Sequence, residues 1–291
     1  MQVRGVNTVM LTTAAIFMVI AAVARGDSNE PGTLWQWSYG KQSDKDEGSK
    51  LNQPLETDRP DFTESPSTVG RGVFQAESGY TFTHDNSHGD RTADHSFPET
   101  LYRLGVGADW FELRAYWDYE VEQTKIGGVT ESGADDLVLG MKFALTPQQG
   151  CLPETGIILE MSVPTGADAF SADKVLPGIE YCYDWDITKE WSLSGMTALE
   201  GAVDEVTNDR YDEFQQTLSL EYSWTEQVKS YTEWYVLSPI SADTNGPQYY
   251  FDGGFTVLIN NDLQWDIRAG AGLNDAADNF YAGSGLSMRF Y

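Results

Sequence analysis

Charged side chains recur at every second position of several apolar runs, and they are the residues of this chain best suited to chemistry. Placed inside a channel, such charges select solutes by their own charge. Placed there only to make an interior polar, opposite charges simply neutralise one another. Both interpretations stay open at this stage. The lumen and selectivity candidates are Glu77, Arg103, Glu112, Arg114, Asp252, Asp266, Arg268 and Arg289.

A second charged stretch, TDRPDFTESP, precedes the first of these runs. Residues 55–70 carry two prolines and four carboxylates, which argue against a strand inside a membrane. Fully extended, a segment of this length reaches ~50 Å, enough to enter a barrel. We therefore predict that residues 55–70 form a plug, with Asp58, Arg59 and Asp61 pairing with lumenal charges. A cap across the periplasmic mouth is the alternative.

No arrangement of residues predicts catalysis or a cofactor. The sequence has no G-x-S-x-G, no H-E-x-x-H, no phosphate loop and no nucleotide fingerprint. Three histidines share a polar stretch, but their spacing does not fall on a helix, and we predict no metal site there. These are His84, His88 and His95. A hydrolase that uses one of these histidines, or a soluble glycan-processing sandwich with paired carboxylates, is the enzymatic alternative.

Cys151 and Cys182 are the only cysteines. In an exported protein an even pair is a disulfide candidate. Two free thiols are the alternative, and the sequence does not separate the two.

The charges lie on strands, as FELRAYWDYEVE illustrates. From Phe111 to Val121 one parity is apolar, and from Glu112 to Glu122 the other is mostly charged. About 12 such runs follow Gly72, and several keep their alternation for ~10 residues, the span that a tilted strand needs to cross a bilayer. Soluble strands have a mode of ~5 to 6 residues. The pattern predicts an all-β, antiparallel transmembrane β-barrel of about 12 strands, with the apolar parity facing lipid.

The connections support the same interpretation. Tight turns near 108–110, 187–190, 225–227 and 260–262 alternate with longer polar loops. Aromatic residues flank the tight turns, where a girdle at the periplasmic interface belongs: Trp110, Phe111, Trp185, Trp191 and Trp224.

The net charge and the N-terminal residues indicate which partners the protein lacks and where it is located. A formal net charge of -27 excludes nucleic acid as a partner, because phosphate would be repelled. Arg4, the apolar run Val9 to Ala21 and the small residues Ala22 to Ala24 read as a cleaved signal peptide. We predict a signal peptide at 1–24, a flexible polar linker at 25–54, the plug or cap segment at 55–70 and the barrel at 71–291, in the outer membrane.

With these residues in hand, the chain resembles the outer-membrane β-barrel family of the meta-pathway of phenol degradation, a family of proposed transporters. The resemblance spans roughly residues 55–291. It rests on LETDRPDFTESPSTVGRGVFQAESGY, LYRLGVGADWFELRAYWDYE, GADDLVLGMKFAL, SVPTGAD and GLSMRF. It implies a barrel that passes small molecules, with aromatic and hydrophobic compounds among the candidates.

The C-terminus departs from the usual barrel pattern. The barrel assembly machinery, a predicted partner, reads a terminal lipid-facing aromatic residue. Here Phe290 has the outward parity and Tyr291 follows it. Either one residue overhangs, or the register of the last strand is shifted by one.

We therefore expect a passive channel for a small-molecule solute, embedded in outer-membrane lipid. A barrel with a closed lumen, serving as a structural or anchoring protein, is the chief alternative. The sequence favours no particular oligomeric state.

Overall fold

The computed structural model describes residues 32–39, 53–86, 91–124, 128–204, 207–240 and 246–291. The predicted signal peptide lies outside the described residues, and the predicted linker is described only at 32–39 and 53–54. There the chain forms a short helix, α1 (Leu34–Ser38). Thr33 and Gln36 cap it reciprocally, and Trp37 packs against Trp110 with ring centroids 5.6 Å apart. In the described part of the chain, no helix is long and apolar enough to span a membrane.

All other regular structure is β-strand. The strands are β1 (Phe74–Asp85), β2 (Thr92–Gly105), β3 (Phe111–Trp117), β4 (Tyr119–Thr124), β5 (Thr130–Ala134), β6 (Leu137–Thr146), β7 (Glu154–Val163), β8 (Leu176–Asp186), β9 (Trp191–Val203), β10 (Arg210–Ser223), β11 (Val228–Ile240), β12 (Gln248–Asn260), β13 (Leu263–Gly272) and β14 (Phe280–Phe290).

These strands close into one antiparallel barrel. From β6 onward each strand pairs with the next along the chain, and β14 returns to pair with β1, from Phe74 opposite Phe290 to His84 opposite Phe280. β3 and β4 are two parts of one barrel strand, separated at Asp118, because both pair with β2. β5 and β6 are likewise one strand interrupted at residues 135–136. The prediction of a 12-stranded antiparallel barrel is confirmed.

The interruption at Asp118 has a cause on the neighbouring strand. Thr100 lies opposite Trp117 and Ser96 lies opposite Glu120, so β2 carries an extra residue between these pairs. Pro98 falls within that stretch of β2 and has no N–H group to give to the ladder. Asp118 is buried there, and its carboxylate accepts hydrogen bonds from Tyr116 Oη (3.2 Å) and Ser96 Oγ (3.3 Å).

The outer face is apolar and the inner face is polar, as the alternation predicts. Leu218 is 47% exposed whereas its neighbour Thr217 is 0% exposed. Phe251 is 51% exposed and Asp252 is 2% exposed. Such a belt of outward apolar side chains matches the hydrocarbon of a bilayer. On the inner face of β3, Glu112 and Arg114 are buried in the lumen.

The two ends of the barrel differ. The chain enters β1 and leaves β14 at the end where the connections are mostly short, and this end is periplasmic by the usual asymmetry of such barrels. Aromatic rings meet across strands there: Trp191 and Tyr222 at 4.6 Å, Tyr222 and Trp224 at 4.9 Å. The predicted register of β14 is correct, because Phe290 faces outward at 46% exposed. Tyr291 overhangs and donates a hydrogen bond to Asp262 (3.3 Å).

No disulfide bond joins Cys151 and Cys182. Cys151 is exposed in the turn before β7, and Cys182 is buried on the lumenal face of β8, so both thiols are free. Cys182 packs instead with Ile158, Met196 and Ala198 in a small apolar cluster on the inner wall.

Candidate functional site

Residues 55–70, the plug segment from here on, lie inside the barrel and are fastened at its periplasmic end. At the start, Leu55 N–H donates to the carbonyl of Asn261 (2.8 Å), and Arg289 donates to the carbonyl of Gln53 (2.7 Å). At the other end, Gly72 N–H donates to the carbonyl of Gly105 (2.9 Å), just before β1. The segment therefore forms a loop that enters the lumen and returns to the same end of the barrel.

Asp58 is the most strongly held residue of the plug segment. Its carboxylate lies 2.7 Å from Arg114 Nη1, 3.0 Å from Lys142 Nζ and 3.1 Å from Arg103 Nη1. Burial by itself would raise its pKa, but the three cations together hold the pKa of Asp58 well below its usual range. Asp58 is therefore ionised throughout the physiological pH range. Cations on three different barrel strands bind this one side chain.

Arg103 ties the two limbs of the plug segment to the wall. Its guanidinium contacts Glu112 at 2.8 Å and Glu77 at 3.0 Å. It also donates to the backbone carbonyls of Glu56 (3.2 Å) and Ser67 (3.1 Å), which lie on opposite sides of the loop. All five donors of a guanidinium lie in one plane, so a single buried arginine can hold several acceptors in fixed directions.

Arg59 makes a similar contact on the neighbouring part of the wall, which runs from β13 to β2. Its guanidinium lies 3.0 Å from Glu99 and 3.3 Å from Asp266. Two lumenal glycines make room for it: a Cβ atom on Gly79 or on Gly285 would come within 2.4 Å of the Arg59 side chain. The glycines of β1 and β14 thus form the recess that the arginine occupies.

Asp61 contradicts the expectation that it pairs with a cation. It lies beside Glu233, Glu221 and Asp252, and burial together with the Glu233 carboxyl raises the pKa of Asp61 well above its usual range. Glu233 meanwhile accepts the backbone N–H groups of Phe62 (2.7 Å) and Thr63 (2.8 Å). Thr63 meets Thr217 of β10, hydroxyl to hydroxyl, at 2.6 Å.

The other predicted lumenal residues contact the plug segment, a neighbouring side chain of the wall or the rim. Glu77 accepts the N–H groups of Asp58 and Arg59 (3.0 and 3.1 Å), and Arg268 donates to the carbonyl of Pro60 (2.9 Å). Asp252 accepts from Tyr281 (2.7 Å). Arg289 pairs with Asp262 in the periplasmic turn (2.8 Å), so it does not contribute to a central constriction.

Sequence reasoning did not single out several residues that hold the plug segment. They are Glu64, Glu99, Lys142 and Glu233. Lys142 and Glu233 already fall on the inward parity of their strands, and Glu64 lies within the plug segment itself. Inward parity combined with charge was therefore the available signal.

The candidate histidines have separate partners. Nδ1 of His84 lies 2.9 Å from the carbonyl of Thr92, and Nδ1 of His95 lies 2.8 Å from the hydroxyl of Tyr80. His88 lies outside the described residues.

Three cavities follow one another along the lumen, and the plug segment lines each of them. One of about 360 Å³ opens at the periplasmic end, between the segment and the ends of β8 to β11. One of about 400 Å³ lies in the middle, against Asp58, Arg59 and Phe62. One of about 320 Å³ lies on the extracellular side, lined by Phe62, Tyr235 and Tyr281 among others. Water therefore has space on both sides of the segment.

Comparison with known proteins agrees with this architecture. The family model described as "Putative MetA-pathway of phenol degradation" matches residues 57–290. The COG4313 outer membrane channel from Pseudomonas putida F1 superposes with a TM-score of 0.63 at 12% identity, covering 81% of this chain and 100% of that one. The NanC porin superposes with a TM-score of 0.50 at 10% identity, covering 74% and 98%. No curated protein matches the chain significantly.

Proposed function

The chain belongs to the family described by that MetA-pathway model, and from this premise we propose that it is a passive outer-membrane channel for small molecules. Its plug segment restricts the lumen. The observation that carries the proposal is a polar barrel interior with cavities on both sides of a segment fastened by ion pairs. Solutes would move down their gradients, with lumenal charge and width setting the selectivity.

The extracellular cavity supports small aromatic or hydrophobic molecules as solutes. Phe62 of the plug segment stacks on Tyr235 with ring centroids 4.6 Å apart, and Tyr235 stacks on Tyr250 at 4.7 Å. Offset stacking of this kind contributes ~0.5–1.5 kcal/mol per pair beyond area burial. A flat solute that replaces Phe62 on Tyr235 would restore the stacking contact with that ring. The extracellular cavity is therefore a suitable binding site for an aromatic solute.

Removal of the plug segment tests the channel directly. We expect a variant that lacks residues 55–70 to conduct more than the wild type in a planar bilayer, and to raise solute-driven swelling of liposomes. Equal conductance of the two proteins would show that the segment restricts nothing.

A reversible disulfide crosslink tests whether the plug segment is a moving gate or a static constriction. In a background with Cys151→Ala and Cys182→Ala, Thr63→Cys and Thr217→Cys would place two thiols where two hydroxyls now meet at 2.6 Å. If the segment moves during conduction, oxidation lowers conductance and a reductant restores it. The single Thr217→Cys variant, treated in the same way, is the control. Identical traces before and after reduction would exclude a moving gate.

A closed barrel with a structural or anchoring role is the second candidate, because the ion pairs that join Asp58 of the plug segment to Arg103, Arg114 and Lys142 are buried. It predicts background swelling for the wild type with every solute. The hydrolase alternative has no supporting observation: the hydrogen-bond partners of His84 and His95 are a carbonyl and a phenol.

A further inference from the structure

Three glutamates gather on the lumenal wall, on the strands that follow those carrying the cations that hold the plug segment. Glu160, Glu180 and Glu200 lie on the consecutive strands β7, β8 and β9. One carboxylate oxygen from each can be chosen so that all three lie within 4.8 Å of one another. All three side chains face the cavity of about 400 Å³ in the middle of the lumen.

The strand register explains why they converge. Gly178 of β8 lies opposite both Glu160 and Glu200, so these two stand at one level with a glycine between them. A Cβ atom on Gly178 would come 3.1 Å from Glu200 Cγ and 3.3 Å from Glu160 Cγ. The glycine therefore leaves the space between the two side chains open, and Glu180, two residues farther along β8, closes the triangle.

No cation among the described residues forms an ion pair with this triangle, although Arg114 lies near Glu160. Within the described ranges, none of the three glutamates forms an ion pair, whereas Arg114 and Lys142 are both engaged by Asp58. Glu200 accepts a hydrogen bond from the neutral Gln215 (3.1 Å). Glu180 is only 5% exposed, and its buried Oε2 atom has no hydrogen-bond partner among the described residues. A buried carboxylate oxygen without a donor is costly unless something positive approaches it.

We propose that Glu160, Glu180 and Glu200 bind a divalent cation of the Ca²⁺ class. Ca²⁺ takes oxygen ligands at ~2.3–2.6 Å, so two of its ligands on opposite sides lie about 5 Å apart, and the observed oxygen separations fit within that limit. Mg²⁺ needs ~2.0–2.1 Å and a stricter octahedron, which would require the three carboxylates to close in. Water from the adjoining cavity completes the coordination shell.

The site belongs to the wall and does not depend on conduction. Its three ligands are carried by β7 to β9, and none of them lies in the plug segment. Cation binding can therefore be measured on the closed, detergent-solubilised barrel, and failure of the channel proposal would leave it intact.

The test is isothermal titration calorimetry: Ca²⁺ is titrated into the full-length barrel in detergent at neutral pH, and the heat of binding is measured. We expect one saturable site in the wild type. Glu180→Gln, which keeps the shape but removes one charge, should weaken binding about 10-fold or more, since even an outer-shell change at a metal site costs 10–100-fold. Glu226→Gln, in the exposed turn between β10 and β11, should bind as the wild type does.

Folding is checked by the shift in gel mobility between heated and unheated barrel, and Glu160→Gln replaces Glu180→Gln if the latter does not fold. If the glutamates instead share protons among themselves, the wild type will show no saturable Ca²⁺ binding. That result, or equal affinity in the wild type and the glutamine variants, would overturn the proposal.

Discussion

Asp58 and Asp61 are identical side chains of one segment, yet their surroundings have opposite charge. Asp58 meets Arg103, Arg114 and Lys142, whereas Asp61 lies among carboxylates. Removing one partner of a buried ion pair leaves the other uncompensated, at a cost of ~3–5 kcal/mol. The ion pairs of the plug segment are therefore made mainly through Asp58 and Arg59, and Asp61 forms none among the described residues.

Asp58→Asn should release the plug segment. The substitution leaves three buried cations facing a neutral amide, and we expect docking of the segment to weaken by ~3–5 kcal/mol. Single-channel conductance should rise towards that of the variant without residues 55–70. Asp61→Asn is the matched control and should leave conductance unchanged, because it keeps the shape of a side chain that pairs with no cation among the described residues. A rise in conductance in both variants would contradict this division of roles.

At the scale of the strand, alternation determined which face each side chain occupies, and this much was predictable from the sequence. Leu218 and Thr217 lie on opposite faces because successive side chains of a strand point in opposite directions. The interruption at Asp118 was not predictable, since the alternation continues through it. Its cause, the extra residue of β2, lies on a neighbouring strand. The surroundings of Asp61 were hidden for a similar reason: Glu233 is far away in the chain.

An arginine on the lipid face of a strand tests the alternation. Leu218 lies in the interior of β10 and faces outward. Leu218→Arg should lower the free energy of unfolding in lipid vesicles by ~2–4 kcal/mol, the cost of a cation near the bilayer midplane. Leu218→Met keeps an apolar side chain of similar volume and should cost less than ~1.5 kcal/mol. Urea titration followed by tryptophan fluorescence measures both, and equal stabilities would place this face outside the hydrocarbon.

For the whole molecule, charge is distributed unevenly around the lumen. Basic residues on β2, β3 and β6 are covered by the plug segment, while the glutamates of β7 to β9 remain uncovered. The segment itself contains four carboxylates, Glu56, Asp58, Asp61 and Glu64, against the single cation Arg59. With the segment in place, the interior therefore presents mostly negative charge to a permeating ion.

Ion selectivity should change when the plug segment is removed. The wild type should prefer cations, as channels lined by acidic side chains do. Deletion of residues 55–70 uncovers Arg103, Arg114 and Lys142, so the preference should shift towards anions. The reversal potential across a KCl gradient measures this shift directly. An unchanged reversal potential would mean that these three cations do not line the conducting path.

The plug segment is attached to its own barrel at both ends, through Leu55 at the β12–β13 turn and through its continuation into β1. Undocking therefore never turns it into a free ligand. A short tether keeps the effective concentration of an attached group on the order of millimolar. Redocking is consequently a unimolecular event with a rate set by the tether, and dilution of the protein leaves it unchanged. A lone barrel in one vesicle and a crowded patch of membrane should show the same open and closed dwell times.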